Sequence, residues 1–222
     1  MNKFAAPVGV FGGTFDPVHF GHLRLAQEIA EHCAMEKVRI LPAGIPPHRN
    51  RPHCDPAHRF EMVRIACTGN PLLEPDPLEV AKDSPCYSVE SLERIREDSG
   101  KETPLCLMVG ADAFLGLASW HRWQEIFGLA HVVVATRPGF HLASGICDPL
   151  AREFVERLAS GPEELGASPC GKILPVEITL LDISSSRIRE CFESGRSARY
   201  LLPDGVLEYI GKNGLYRNRN EC

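Results

Sequence analysis

The stretch "GVFGGTFDPVHFGHLRLAQEIA" at residues 9–30 changes its pattern twice within a short span. A short apolar run reaches Gly12-Gly13, a polar turn follows, and apolar residues then recur at helical intervals. Glycine has no Cβ, so a glycine pair suits a point where the backbone bends sharply or approaches a ligand closely. The pattern predicts a strand over residues 7–11 and a helix over residues 21–33.

The rest of the chain repeats this alternation of strands and helices. The strands at 104–110 and 131–137 are continuous apolar runs, which is typical of parallel strands covered on both faces. Residues 73–80 form a short extended segment, and one or two short helices lie between the two apolar runs. The other predicted strands are 37–43 and 171–178, and the other predicted helices are 57–67, 87–98, 148–160, 184–194 and 204–215. We therefore predict an α/β, Rossmann-like, doubly wound parallel sheet in a single domain over residues 1–222.

The composition narrows the class of protein. The chain has 222 residues, is 44% hydrophobic and carries a formal charge of −5, which argues against bulk binding to nucleic acid. No apolar run approaches the length of a membrane span, and the first residues do not form a signal peptide. The nine cysteines are scattered without a CxxC pair, which favours reduced thiols. These features predict a cytoplasmic protein without a membrane partner.

Residues 12–22 lie where a doubly wound sheet binds its ligands, at the carboxyl end of the first strand. A helix start offers free N–H groups and a partial positive charge, which favour a phosphate. His19 and His22 are three residues apart at that start, so both imidazoles are expected on one side. Imidazole donates hydrogen bonds to phosphate, so the sequence predicts a phosphate site that is neither a Walker A loop nor a G-x-G-x-x-G loop.

A second group of histidines follows in a proline-rich loop at residues 44–56. His48, His53, Cys54 and His58 are close in the sequence, but their spacing fits none of the common zinc patterns. We predict a polar, proline-punctuated loop there, and zinc binding by the cluster is the less favoured alternative.

The segment "GGTFDPVHFGH" resembles the signature of the adenylyl- and cytidylyltransferase superfamily, whose H-x-G-H motif grips nucleotide phosphates. It is also similar to the HIGH motif of class I aminoacyl-tRNA synthetases. In its longer form it is most similar to bacterial nicotinate mononucleotide adenylyltransferases, which make nicotinate adenine dinucleotide and pyrophosphate from ATP and nicotinate mononucleotide.

Other segments resemble the same family nearly end to end, and residues 141–170 do so least. The similar segments are "PAGIPPHR" (42–49), "SPCYSVESL" (84–92), "MVGADAFLGLASWHRW" (108–123), "RPG" (137–139), "ISSSRIRE" (183–190) and "YLLPDGVLEYIGKNGLY" (200–216).

The resemblance implies a set of site residues, with His19, His22 and Arg189 as the catalytic ones. The residues implied in ATP binding are Gly12, Gly13, Thr14, Phe15, His19, His22, Asp112, Ile183, Ser184, Ser185 and Arg189. Those implied in binding nicotinate mononucleotide are His48, Arg49, Tyr87, Ser88, Trp120 and Arg137. Mg²⁺ is expected to arrive with the ATP phosphates, and the helical portion at about 184–215 is expected to complete the ATP site.

Several of these residues also have a simpler interpretation. Asp112 either contacts the adenosine ribose or caps the helix that follows it. Trp120 is expected to stack on the nicotinate ring, whereas Trp123 is expected in the core. Asp16 is expected to be structural, with its side chain bonding loop backbone, and Arg137 is equally well an exposed charge.

Three other functions stay open at this point. One is a related transferase with nicotinamide mononucleotide as acceptor, and a second is a transferase with phosphopantetheine, which Tyr87, Ser88 and Trp120 oppose. The third is a nucleotide-sensing module without turnover. The oligomeric state is left as monomer or homodimer.

Overall fold

The strands form one parallel sheet in the order β3-β2-β1-β4-β5-β6. The computed structural model describes residues 5–46, 52–140, 142–179 and 181–217. Its strands are β1 (Val8–Gly13), β2 (Lys37–Pro42), β3 (Leu73–Pro75), β4 (Leu105–Gly110), β5 (His131–Thr136) and β6 (Ile173–Glu177). Its α-helices are α1 (Phe20–His32), α2 (Pro56–Cys67), α3 (Ser88–Ser99), α4 (Ala111–Leu115), α5 (Ile126–Leu129), α6 (Leu150–Arg157), α7 (Ser185–Glu193) and α8 (Asp204–Lys212).

Helices cover both faces of the sheet, because successive strand residues point to opposite sides. In β5, Val133 packs into the core that contains α1, α2, α7 and α8. Its neighbours Val132 and Val134 pack into the core that contains α3, α4, α5 and α6. The crossovers therefore change face between β3 and β4, and the predicted doubly wound sheet in a single domain is confirmed.

Two element boundaries differ from the predicted ones at the N-terminal motif. β1 runs through the glycine pair to Gly13, because β2 continues alongside and pairs with both glycines. Helix α1 begins at Phe20, so His19 is the N-cap residue instead of a residue of the first turn. Helix α2, predicted from residue 57, begins one residue earlier at Pro56, with Asp55 as its N-cap residue.

The helix predicted over 204–215 ends earlier, at Lys212. Asn213 is its C-cap residue, and Gly214 follows with a left-handed φ of +60°. That conformation favours glycine and turns the chain out of the helix. No helix in the described ranges is both long enough and apolar enough to cross a membrane.

Candidate active site

The sheet opens at its carboxyl edge between β1 and β4. These strands pair only up to Val10 and Leu107, whereas β1 stays paired with β2 up to Gly13 and β4 with β5 up to Gly110. The ends of β1 and β4 therefore diverge, and a Cβ built at Gly12 or Gly110 would meet no atom within 4 Å. This cleft lies at the switch point of the sheet, where doubly wound proteins bind ligands.

Two histidines meet at the start of α1, just after β1. The imidazole rings of His19 and His22 stack with their centroids 3.6 Å apart and an interplanar angle of 26°. The two side chains therefore lie together, as their spacing predicts. Nδ1 of His22 accepts a hydrogen bond from the backbone N–H of His19 at 3.3 Å. A neutral His22 consequently carries its proton on Nε2, which makes that atom a hydrogen-bond donor.

Burial makes His19 a neutral group at pH 7. Its side chain is only 5% exposed, and this burial lowers its pKa from 6.5 to about 4. Nδ1 of His19 is buried and has no hydrogen-bond partner within the described part of the chain. Because desolvation penalises the imidazolium ion, His19 meets a ligand as an uncharged ring.

The backbone amides at the start of α1 are not all free to bind an anion. The N–H of Phe20 donates to the carbonyl of Leu201 at 3.1 Å, and the N–H groups of His22 and Leu23 both donate to the carbonyl of His19. For the remaining amide, that of Gly21, the described residues provide no acceptor. The helix therefore offers an anion one free amide together with its dipole.

Two glycines make room for the aromatic side chains of this loop. A Cβ on Gly21 would lie 3.0 Å from Nδ1 of His19, and a Cβ on Gly13 would lie 2.9 Å from the Phe15 ring. Phe15 is buried, and its ring lies edge-on to His22 with centroids 4.9 Å apart. Phe15 therefore supports the His22 ring, and any contact it makes with ATP has to come from its backbone.

A buried arginine that sequence reasoning missed holds this loop to its neighbours. The Arg59 guanidinium, wholly buried, donates to the carbonyls of Thr14 at 2.8 Å, Gly44 at 2.9 Å and Cys54 at 3.2 Å. Arg59 lies three residues before Met62, so the helical spacing places it on the core face of α2. This position was the one feature of the sequence that could have indicated a buried arginine. Arg59 therefore ties the histidine loop, through Thr14, to both ends of the proline-rich loop, through Gly44 and Cys54.

The start of α7 reaches the same loop. Ser184 is the N-cap residue, and its Oγ accepts a hydrogen bond from the N–H of Arg187 at 3.2 Å. The hydroxyl of Ser185 donates to the carbonyl of Pro17 at 2.9 Å. The carbonyl of Ile183 would lie 3.5 Å from a Cβ on Gly21. These three residues therefore border the histidine pair.

Arg189 projects from α7 onto the backbone of the loop. Its Nη1 donates to the carbonyl of Asp16 at 2.7 Å, and its Nη2 donates to the hydroxyl of Ser186 at 3.2 Å. The guanidinium is partly exposed. It is therefore fixed in position while retaining N–H groups that can meet a phosphate.

The predicted acceptor residues gather around the start of α3. Tyr87 is the N-cap residue and Ser88 the first residue of this helix. The Tyr87 ring lies 4.5 Å from that of His121, centroid to centroid, which brings the start of α3 to the residue after Trp120. Trp120 is partly buried. Trp123 is buried, so its predicted place in the core is confirmed.

A small cavity connects this side of the site with the glycine loop. Gly12, Ser88 and Glu79 are among the residues that line it. Glu79, a residue the sequence analysis did not select, is buried, and burial raises the pKa of its carboxyl. The hydroxyl of Ser91 donates to its Oε1 at 2.6 Å. The start of α3 and the end of β1 are therefore neighbours.

The two remaining predicted side chains lie at the carboxyl ends of adjacent strands. Asp112 is exposed and follows β4, and Arg137 is exposed and follows β5. Asp112 does not cap α4, because Gly110 is the N-cap residue and no side chain makes the cap hydrogen bond. The interpretation of Asp112 as a helix cap is wrong, and its contact with the adenosine ribose stays a prediction.

Two of the four clustered side chains, His53 and His58, have different partners in the fold. His48 and Arg49 lie outside the described residues. His53 contacts Asp16, whereas His58 forms a hydrogen bond with the hydroxyl of Tyr209 at 2.9 Å. In the part of the chain that the structure describes, no group of three or more His, Cys, Asp or Glu side chains is arranged to hold a metal ion.

Comparison with known proteins identifies the class to which this sheet and loop belong. The chain belongs to the cytidylyltransferase-like family, whose model matches residues 10–191. The resemblance found in the H-x-G-H segment is thereby confirmed.

Within this family the similar proteins are nicotinate-nucleotide adenylyltransferases. The chain is 51% identical over 213 residues to the probable nicotinate-nucleotide adenylyltransferase of Dechloromonas aromatica, covering 96% of this chain and 98% of that protein. It is 45% identical to the protein of the same name from Methylococcus capsulatus, covering 94% of this chain and 99% of the relative.

A solved structure has the same fold at low sequence identity. The Plasmodium falciparum nicotinic acid mononucleotide adenylyltransferase complexed with NaAD matches with a TM-score of 0.69 and 15% identity, covering 96% of this chain and 98% of that chain. This likeness concerns the fold alone.

Proposed function

We propose that the protein transfers the adenylyl group of ATP to nicotinate mononucleotide, giving nicotinate adenine dinucleotide and pyrophosphate. The observation that carries the proposal is the stacked pair of imidazoles at the start of α1, directly after the strand that borders the cleft. The names of the full-length relatives agree with this reaction.

The reaction is an in-line displacement at the α-phosphorus of ATP. An oxygen of the mononucleotide phosphate forms a bond to that phosphorus, and the bond to the bridging oxygen of the β-phosphate breaks, so that pyrophosphate leaves. The nucleophile is already an anion, so no general base and no covalent enzyme intermediate are needed. Catalysis then depends on position and on stabilisation of the charge spread over the phosphate oxygens.

The donor side of the site, namely residues 12–22 together with α7, supplies that stabilisation. Nε2 of His22 donates a hydrogen bond to the phosphates, and the free amide of Gly21 adds a second donor. The Arg189 guanidinium binds the polyphosphate, with its orientation set by the Asp16 carbonyl. The neutral His19 lies against His22 and keeps its ring in place.

Mg²⁺ is proposed to arrive with the nucleotide. Among the described residues no cluster of acidic or imidazole side chains is arranged as a cage, so phosphate and water oxygens are its expected ligands. When bound, the ion neutralises part of the charge on the phosphates.

The acceptor side, namely Tyr87, Ser88, Trp120 and Arg137, is proposed to bind nicotinate mononucleotide together with His48 and Arg49. Trp120 stacks on the pyridine ring. Backbone N–H groups at the start of α3 donate hydrogen bonds to the nicotinate carboxylate. The amide of nicotinamide mononucleotide binds less well there, because its NH₂ group would face these N–H donors and leave them unpaired. The pocket therefore selects the acid.

A single assay tests the reaction and its acceptor. The protein is incubated with ATP, Mg²⁺ and either nicotinate or nicotinamide mononucleotide, and pyrophosphate release is measured. We expect kcat/KM to favour the acid by at least about a hundredfold, since unpaired buried donors discriminate strongly. Equal values would indicate dual specificity, and no release with either substrate would favour a nucleotide-sensing module.

Location and assembly follow the same proposal. We propose a cytoplasmic enzyme, monomeric or homodimeric, that binds ATP and the mononucleotide but neither nucleic acid nor membrane. Size-exclusion chromatography with light scattering measures the oligomeric state.

A further inference from the structure

A buried cluster beside the histidine loop takes no part in the proposed chemistry. Asp16 is buried, with 4% of the residue exposed. Its Oδ1 accepts a hydrogen bond from the Tyr216 hydroxyl at 2.7 Å, and its Oδ2 accepts one from the backbone N–H of His53 at 2.7 Å. The two carboxylate oxygens of Asp16 therefore join the histidine loop to His53 and to Tyr216, which are distant in the sequence.

Tyr216 reaches this cluster from the segment that follows α8. Its backbone is left-handed, with φ +61°, and its ring lies 6.0 Å from that of Phe192 on α7. Burial and the nearby Asp16 charge raise its pKa, so the hydroxyl stays a donor.

Asp16 connects this cluster to the catalytic groups. The residue whose carboxylate Tyr216 holds is also the residue whose carbonyl orients Arg189. It lies three residues before His19 in the same loop. A movement of Asp16 would therefore displace a phosphate-binding cation and the histidine pair together.

We propose that Tyr216 is a positioning residue for ATP, acting through Asp16 on Arg189 and the histidine loop. This inference rests on the proposed function and adds a residue that lies outside the H-x-G-H and I-S-S-S segments. The other interpretation is that the hydroxyl only stabilises the fold.

The chain contains a matched control on the same C-terminal segment. Tyr209 also forms one hydrogen bond through its hydroxyl, to Nδ1 of His58 at 2.9 Å. That contact joins α8 to α2 and does not involve the histidine loop. Tyr209→Phe therefore removes an equivalent bond without touching the site.

The test compares Tyr216→Phe with Tyr209→Phe in the full chain. For each variant, kcat and the KM of both substrates are measured together with the melting temperature. We expect Tyr216→Phe to lower kcat/KM for ATP by roughly ten- to a hundredfold, since small displacements of catalytic groups have effects of this size. The KM for the mononucleotide should change less than about threefold by the same reasoning. Tyr209→Phe should match the wild type in activity.

A double mutant shows whether the effect passes through Asp16. In Asp16→Asn only one side-chain oxygen remains as an acceptor for two donors, so one of them loses its partner. If Tyr216 acts through Asp16, the double variant should be no more impaired than the more impaired single variant. Multiplying losses would overturn the proposal, as would activity in Tyr216→Phe that matches Tyr209→Phe.

Binding of α,β-methylene ATP separates this inference from the proposed reaction. If the wild type releases no pyrophosphate with either mononucleotide, the proposed function fails. Weaker binding of the analogue by Tyr216→Phe than by Tyr209→Phe would still support the positioning role. Equal binding by the two variants would overturn it.

Discussion

The donor and acceptor sides of the cleft are held in place by different means. On the donor side, Asp16 and Pro17 are fixed by hydrogen bonds from residues 168, 173 and 200 positions away in the sequence. On the acceptor side, Arg137 is exposed and Trp120 only partly buried. The difference indicates fixed geometry on the side proposed to bind ATP and adaptable contacts on the side proposed to bind the mononucleotide. Donor-side changes should therefore lower kcat or the affinity for ATP, and acceptor-side changes should raise the KM for the mononucleotide.

The largest effect is expected at His22. His22→Ala should lower kcat at least a hundredfold, because loss of a transition-state hydrogen-bond donor costs about 3–4 kcal/mol. The control is His32→Ala, which removes an exposed histidine at the end of the same helix. Steady-state kinetics with circular dichroism to monitor the fold measures both. A kcat near that of the wild type in a folded His22→Ala protein would exclude the donor role.

His19 should make the stability of the protein depend on pH. Its pKa is 6.5 when unfolded and about 4 when folded, so between these values the unfolded state binds the extra proton. The free energy of unfolding should therefore fall as the pH drops from 6.5 towards 4, by up to roughly 3 kcal/mol, with no contribution from His19 above pH 6.5.

Urea unfolding at pH 7 and pH 4.5 tests this dependence. In His19→Asn the loss of stability between the two pH values should be smaller than in the wild type, whereas His32→Asn should behave as the wild type. The same loss in all three proteins would mean that His19 titrates normally.

Arg189→Ala should affect ATP more than the mononucleotide. A charge-assisted hydrogen bond contributes about 1.5–3 kcal/mol, so the affinity for ATP should fall at least about tenfold. Arg187→Ala is the control, since Arg187 is exposed on the same helix. Separate calorimetric titrations of the two substrates measure the difference. Equal losses for both would show that Arg189 serves the fold instead of the polyphosphate.

The smallest effect is expected at Trp120. Trp120→Ala removes a stacking surface that contributes about 0.5–1.5 kcal/mol, so the KM for nicotinate mononucleotide should rise roughly three- to tenfold. Stacking does not distinguish acid from amide, so the ratio of kcat/KM for the two mononucleotides should stay unchanged. Trp120→Phe should recover most of the affinity. A changed ratio would place acid recognition on the indole.

The sequence predicts the elements of this fold well because their signals are local. Continuous apolar runs mark β4 and β5, and the glycine and histidine spacing marks the turn into α1. The divergence of β1 from β4 arises because β1 stays paired with β2 and β4 stays paired with β5. The sequence of neither strand shows which neighbour it will stay paired with. The role of Arg59 depends on three carbonyls from two separate loops, so its position on the core face of α2 was the one local sign of it.

The site residues likewise divide into features that follow from local sequence and features that depend on distant contacts. The spacing of His19 and His22 predicts that both imidazoles lie on one side, but the low pKa of His19 comes from burial by the assembled chain. Asp16 was expected to bond loop backbone, and it does so at His53. Its bond to Tyr216 joins residues 200 positions apart, and no local pattern reports such a pairing.

The distance along the chain between these partners has a consequence during translation. The strand and helix that carry the glycine loop and both histidines, β1 and α1, leave the ribosome before the elements that follow them in the chain. Ser185, Arg189 and Tyr216, which hold that loop, are synthesised long afterwards. Because a domain generally folds as a unit, a nascent chain carries the H-x-G-H motif well before the residues that hold it in place are present. Competence to bind ATP should appear late, as a single step, once residue 216 has left the exit tunnel.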